Sequence, residues 1–411
     1  MTKPAQPSTR ISHTSFRSTC VVLMLGGALL MLIAQATQAQ TLTVLHTFSG
    51  PDGLYPYSGV TLDRAGNLYG TTYAGGASQD GTVYQLKRVG SSYIHNQLHA
   101  FTGGSDGGQP WGGVIFGPDG ALYGTTITGG FEMGGTVFSL RPPVTICRSV
   151  LCPWMESVLY NVANFDGVEP AYGQIAFDSA GNIYGTTAFG GAEGYGDVYE
   201  LSRAGNGWTG TQLYSFGDPD AQFPGHNVVL DSAGNLYGTT DAGGSYDAGA
   251  VFELVRSGSG WSENILANLG LGVGGYGATG LIMDAAGNLY GGTLGAENTA
   301  ASVFELSRSG NGWQLTVLHS FASGLACWGS LVMDSNGNLY GTTYSLGAHG
   351  LGNIFKLSPS GNGWTYTDLY DFSNNGDGEN PTGDLSIDAN GNLYGTNLGE
   401  NGNGVVWKLT P

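Results

Sequence analysis

The phrase Asp63-Arg-Ala-Gly-Asn-Leu-Tyr-Gly-Thr-Thr72 decides the fold, because the chain repeats it seven times. Variants of D-x-x-G-N-L-Y-G-T-T centre on Tyr69, Tyr123, Tyr184, Tyr237, Tyr290, Tyr340 and Tyr394, at spacings of 54, 61, 53, 53, 50 and 54 residues. Each part has a physical role. The Asp side chain accepts backbone N–H groups in a tight turn, and Gly supplies the left-handed residue that closes it. Leu, Tyr and Thr then favour an extended strand. Self-similarity at about 50 residues, with no helical periodicity between copies, reads as propeller blades of four strands each.

The fourth copy shows all four strands. Asn227–Leu230 is apolar and leads into the turn Asp231–Asn235, then Leu236–Thr240. A glycine-rich loop precedes Ala250–Leu254, and a second tight turn precedes Trp261–Leu266. These are strands a, b, c and d. The seventh copy lacks a strand d after Val405–Leu409, whereas Thr41–Phe48 reads like the d-strand phrase Leu315–Phe321. The N-terminal strand is therefore expected to complete the last blade and remove open edges that invite aggregation. The expected fold is all-β: one seven-bladed β-propeller over residues 40–411, of four-stranded antiparallel blades. An open solenoid of seven units is the alternative, and it would leave both end repeats incomplete.

Composition agrees with many short strands and tight turns. Glycine supplies 73 of 411 residues and charged residues only 11%, against a usual ~25%. Residues 1–39 differ in kind. Lys3, Arg10 and Arg17 precede an apolar run, Val21–Ala34, too short for a ~20-residue membrane span, and small residues follow. This is the layout of a signal peptide, with an uncleaved anchor as the alternative. Its removal takes away those three positive charges and moves the net charge from −18 to −21. So acidic a chain repels phosphate backbones, which excludes nucleic acid as a partner. The protein is expected to be secreted or periplasmic and monomeric, with no membrane span once mature.

The phrase D-x-x-G-N-L-Y-G-T-T, followed by G-G, G-T-V-F-x-L and L-[HY]-x-F, resembles a bacterial tandem repeat. That repeat is named for Gloeobacter and Verrucomicrobia, within the choice-of-anchor family of exported proteins. Asp63, Gly66, Asn67 and Tyr69, and Asp334, Gly337, Asn338 and Tyr340, carry the resemblance well. Repeat two departs with Gly117 and Ala121, and repeat five has Gly292 where Thr is usual. The resemblance implies an exported repeat protein and brings no catalytic residues.

Chemistry-bearing motifs are few. No phosphate loop, H-E-x-x-H or C-x-x-C occurs, and the G-x-G-x-x-G matches open no helix. His46, His99 and His319 share an outer-strand slot that holds Tyr214 and Tyr370 elsewhere, which reads as packing, so no metal ligands are expected. Cys147 and Cys152 lie in an extra segment of repeat two and are expected to form a disulfide, with two free thiols as the alternative. Cys327 is left over and expected to be buried.

The loops from strand d to the next strand a repeat D-G-x-x-P at Asp52–Pro56, Asp106–Pro110, Asp166–Pro170 and Asp377–Pro381. Just after them, seven-fold geometry gathers Tyr57, Trp111, Tyr172 and Trp328 around the central channel, with Gln174, Asn227 and Asp384 two residues further along in their blades. Aromatic faces above polar groups suit a sugar ring or a cation. The competing reading makes the aromatics inter-blade wedges and the Asp residues turn formers. No cofactor is expected; calcium is the one ion the oxygen-rich loops suggest, although no D-x-D-x-D-G loop is present. The leading function is a non-catalytic exported propeller presenting a binding face to extracellular carbohydrate or protein. The alternative is a secreted glycan- or lactone-acting hydrolase or lyase, with Asp384, Asp241, Glu132, Glu193 and His226 as its acid–base candidates.

Overall fold

The computed structural model describes residues 1–2, 40–143, 154–162, 167–170, 173–217, 221–258, 260–270, 272–295, 299–310, 312–323, 327–361, 363–399 and 403–410. Cys147, Cys152, Tyr172, Asp166 and nearly all of the expected leader lie outside them. Within the unit Gln40–Pro411 the chain forms seven blades, each an antiparallel sheet in the order a-b-c-d. Blade 1 runs Thr61–Leu62, Leu68–Thr72, Thr82–Val89 and Ser92–Ala100, and the next five follow its plan. In blade 7, Ser386–Ile387, Leu393–Leu398 and Val405–Thr410 come from the C-terminal end, and Thr41–Thr47 adds the outer strand. Thr41 pairs with Thr410 and Thr47 with Val405, so the ring is closed by the first strand of the unit. This is a seven-bladed β-propeller.

The repeated phrase folds as its chemistry requires. Asp63 Oδ1 accepts the N–H groups of Ala65 and Asn67, both at 2.9 Å, and Oδ2 accepts from Asn67 Nδ2 at 2.7 Å and the Tyr69 hydroxyl at 3.1 Å. Gly66 closes the turn at φ 80°. Asp178, Asp231, Asp284, Asp334 and Asp388 repeat the arrangement. Repeat two keeps it by another route. Asp119, two positions along, accepts the Tyr123 hydroxyl at 2.9 Å and the N–H of Ala121 at 3.2 Å, and pairs with Arg141. Its departures at Gly117 and Ala121 thus relocate the carboxylate and leave the turn intact.

Packing is divided among the blade contacts. Seven apolar clusters sit one at each seam, such as Tyr69, Val83 and Phe101 of blade 1 against Val114, Phe138 and Leu140 of blade 2. Strands b and c are buried on both faces for this reason. At the closing seam Phe48, 1% exposed, packs with Tyr84, Leu86, Tyr394 and Val406.

Polar stitches cross the seams nearer the axis. The first Thr of the Gly-Thr-Thr phrase donates to a carbonyl of the next blade: Thr71 to Gly112 at 3.0 Å, Thr186 to His226 at 2.9 Å, Thr239 to Thr279 at 3.0 Å and Thr396 to Ser58 at 2.7 Å. Blade 5 has Gly292 there, and the structure supplies the reason. A Cβ on Gly292 would lie 2.6 Å from Cys327 Cβ and 3.0 Å from its Sγ. Cys327 stands where blades 1, 2, 4 and 7 carry Pro56, Pro110, Pro224 and Pro381, and it is fully buried beside Ala301. Burial pushes its thiol up to about 12, as expected of an inert core cysteine. Gly292, Ala301 and Cys327 are one repacked seam.

Candidate functional site

The face that carries the d–a and b–c loops holds a hollow of about 380 Å³, counting the space open to solvent. Tyr57 and Trp111, Trp328, His226 and Asp384 line it, with Ser58, Ser330 and Thr382 between them. Three of the four aromatics expected from the repeat register thus meet at one place.

The loops hold these residues firmly. Tyr55, Gln109, Phe223 and Asn380, each just before the loop proline, adopt φ of 55°, 54°, 58° and 51°. A left-handed conformation disfavours residues other than glycine, so its recurrence marks a loop fixed by its surroundings. Backbone N–H groups of Gln109, Phe223 and Asn380 donate to Asp80, Tyr195 and Leu351 of the preceding blade at 2.7, 2.8 and 2.8 Å. The loop carboxylates are engaged in the same task. Asp52 accepts from Ser49 and from the His46 ring, Asp106 from Thr102, and Asp377 from Ser373, Asn375 and the Tyr370 hydroxyl. These acids therefore organise turns.

The rings pack on one another. Tyr57 and Trp111 stack at 4.5 Å and 16°, and Tyr73 meets both edge-on at 5.4 and 5.3 Å. Across the hollow Trp328 leans on Tyr344 at 5.3 Å. Each ring is half-buried, so one face is taken by its neighbour while the rest stays accessible. Burial pushes the Tyr57 hydroxyl above the usual phenol range. The sequence reading missed Tyr73 and Tyr344. Both directly follow Gly-Thr-Thr, the signal that could have found them.

The polar candidates separate. Asp384 lines the hollow, and its Oδ1 accepts the Ser330 N–H at 2.6 Å. Gln174 and Asn227 instead fill space left by glycines of neighbouring blades. A Cβ at Gly113 would lie 2.9 Å from Gln174 Nε2, and one at Gly280 1.8 Å from Asn227 Oδ1. Asn227 Nδ2 also donates to the Leu281 carbonyl at 3.1 Å. The innermost segments close on each other without side chains elsewhere: a Cβ on Gly59 would meet the Asp384 carbonyl at 1.9 Å, and one on Gly329 the Gly383 carbonyl at 2.4 Å. Of the acid–base candidates, His226 lines the hollow with Nε2 3.7 Å from Asp241 Oδ1, while Glu132 and Glu193 are exposed on b–c loops and do not line it.

Comparison with known proteins follows the same repeat. The sequence profile of the Gloeobacter/Verrucomicrobia repeat matches residues 31–151, 145–326 and 294–411. The chain belongs to this family. No curated protein matches the sequence of this Gloeobacter/Verrucomicrobia repeat protein. Among solved structures, the extracellular domain of a one-component system from B. thetaiotaomicron shares its fold, with TM-score 0.51 and 12% identity over 88% of this chain and 40% of that one. A gluconolactonase from Xanthomonas campestris is similar with TM-score 0.42 and 13% identity, over 71% and 81% of the two chains. A Thermus thermophilus oxidoreductase assigned as a glucose dehydrogenase gives 0.44 and 14%, over 73% and 96%. At 12% identity the first of these likenesses speaks to the fold alone.

Proposed function

We propose that this repeat protein is an exported, non-catalytic binding module that takes an uncharged extracellular carbohydrate on the central hollow of its loop face. One observation carries the reading: aromatic rings from blades 1, 2 and 6 converge there among hydroxyl groups, with a lone lining carboxylate already bonded to backbone. Flat apolar rings flanked by a few hydrogen-bonding groups suit the face of a pyranose. The acidic net charge disfavours polyanionic ligands. Export rests on the short apolar run before residue 40. Among the described residues no helix is long and apolar enough to cross a membrane.

Glycan-array screening followed by calorimetry tests this. Trp111→Ala and Trp328→Ala should each weaken binding by about 2- to 12-fold, the equivalent of 0.5–1.5 kcal/mol of stacking, while thermal unfolding barely moves. A destabilisation of about 3–5 kcal/mol in both variants would instead mark the rings as inter-blade wedges. The His226–Asp241 pair favours a second reading, a lactone- or glycan-cleaving enzyme with His226 as base. Turnover lost in His226→Gln with binding retained would decide for the enzyme.

A further inference from the structure

We propose that His46, Asp52 and His95 form a site for one divalent transition-metal ion, of the zinc, cobalt or nickel class, across the seam that closes the ring. His46 lies on the N-terminal strand that completes blade 7, Asp52 on the loop entering blade 1, and His95 on the outer strand of blade 1. One ligand atom from each lies within 4.8 Å of the others. His46 Nε2 and Asp52 Oδ2 are 2.9 Å apart, and the two imidazoles stack at 4.4 Å and 13°. Metal–ligand bonds of about 2.0–2.2 Å place neighbouring donors roughly 3 Å apart, the spacing that His46 Nε2 and Asp52 Oδ2 already have, and tilting His95 out of the stack brings its lone pair onto the same ion.

Two features go beyond what packing requires. His95 Nε2 is buried and makes no hydrogen bond among the described residues, leaving a polar atom without the partner its burial demands. Asp52 is oriented from behind: its Oδ1 accepts the N–H and hydroxyl of Ser49 at 2.8 and 2.9 Å, which aims Oδ2 at His46. Second contacts of this kind fix ligand geometry in metal sites. Burial also pushes the His95 imidazolium down to about 4, so its ring is neutral and has a lone pair to give at pH 7. His46 and Asp52 side chains remain 19% and 23% exposed, which leaves a path for the ion and a water ligand.

Two other seams supply the contrast. The equivalent pair of positions holds Tyr214 hydrogen-bonded to Glu263 at 3.2 Å, and His319 stacked on Tyr366 at 4.4 Å. Packing is met there without two imidazoles. Among the described residues, His46, Asp52 and His95 are the one group of three such ligands this close together. An ion held by them would join the outer strands on both sides of the seam.

The test uses the untagged full-length chain, stripped with chelator and titrated separately with Co2+ and Zn2+. We expect one equivalent bound with a micromolar or tighter Kd, visible Co2+ bands of a four-coordinate site that Zn2+ displaces, and a higher melting temperature with Zn2+. His95→Gln and His46→Tyr should each weaken binding at least tenfold and abolish those bands. His46→Tyr installs the residue that other blades carry at this slot, so it decides the matter if His95→Gln does not fold. His349→Gln, on an exposed loop, should bind like the parent. No saturable binding to the parent, or unchanged binding in His46→Tyr, would overturn the site.

Discussion

Restoring the family residue in blade 5, by Gly292→Thr, should destabilise the protein although every other blade carries Thr there. Repeat statistics alone predict the opposite. The backbone at Gly292 is not left-handed, so a side chain brings no conformational strain, and losing a glycine should gain roughly 0.4–1 kcal/mol through the unfolded chain. Against this stands the 2.6 Å approach of the new Cβ to Cys327 Cβ, both in a seam with no exposed surface to yield. Overpacking of this kind costs about 1–3 kcal/mol, so a net loss of about 1–2 kcal/mol is expected. Denaturant unfolding followed by tryptophan fluorescence reads it as a lower midpoint at unchanged slope. In a Cys327→Gly background the same Thr should fit, giving a favourable coupling of at least about 1 kcal/mol in the double-mutant cycle. A midpoint that rises in Gly292→Thr alone would refute the account of this seam.

Deleting Thr41–Phe48 exposes the strand Val405–Thr410 along its whole length and removes buried Phe48; aggregation and loss of a cooperative transition are expected by size-exclusion and denaturant titration. A truncated chain that melts like the parent would contradict closure by this strand. Stability should also fall away on both sides of a middle pH range. Burial, with Asp106 adding, pushes Glu156 from 4.5 up to about 7, so its contribution is full below pH 4.5 and lost as pH rises through 7. His95 is pushed by burial from 6.5 down to about 4, so its contribution is present above pH 6.5 and lost as pH falls through 4. With chelator present, Glu156→Gln should flatten the alkaline side of a midpoint-against-pH curve and His95→Gln the acid side; curves parallel to the parent would show that neither group titrates as its surroundings dictate.

Blade number, strand order and ring closure were legible because they are written in local phrases. Asp63–Thr72 contains its own turn acceptor, its glycine and its strand, and the likeness of Thr41–Phe48 to Leu315–Phe321 names the missing strand directly. The aromatic register was legible for the same reason, since equal offsets in equal repeats meet at the axis. What escaped was the pairing of slots between different blades. His46 and His95 lie 49 positions apart in numbering, and reading each slot as a column across the repeats hides the row that joins neighbouring blades. The placement of Gln174 and Asn227 beside glycines of neighbouring blades also escaped, because the register does not weigh the space that a neighbouring glycine leaves. Asp119 shows the same limit: the column reads as a lost carboxylate, and the fold recovers it two residues later.

The strand Thr41–Thr47 is the first of the ring to be synthesised and pairs with the last, with roughly 370 residues between Thr41 and Thr410. Loop-closure entropy grows only logarithmically, so joining ends this far apart costs about 3 kcal/mol more than closing a ten-residue hairpin. Thermodynamically that is modest; in time it is not. Until Val405–Thr410 emerges, the opening strand has no partner, and six seams can form while the seventh waits. Contacts of such sequence separation come late in folding. By the same logic, native-state hydrogen exchange should reach the amides of Thr41–Thr47 and Val405–Thr410 through an opening of lower free energy than those of blades 3 and 4. The propeller thus has a built-in direction of assembly, and a hinge line at which it first comes apart.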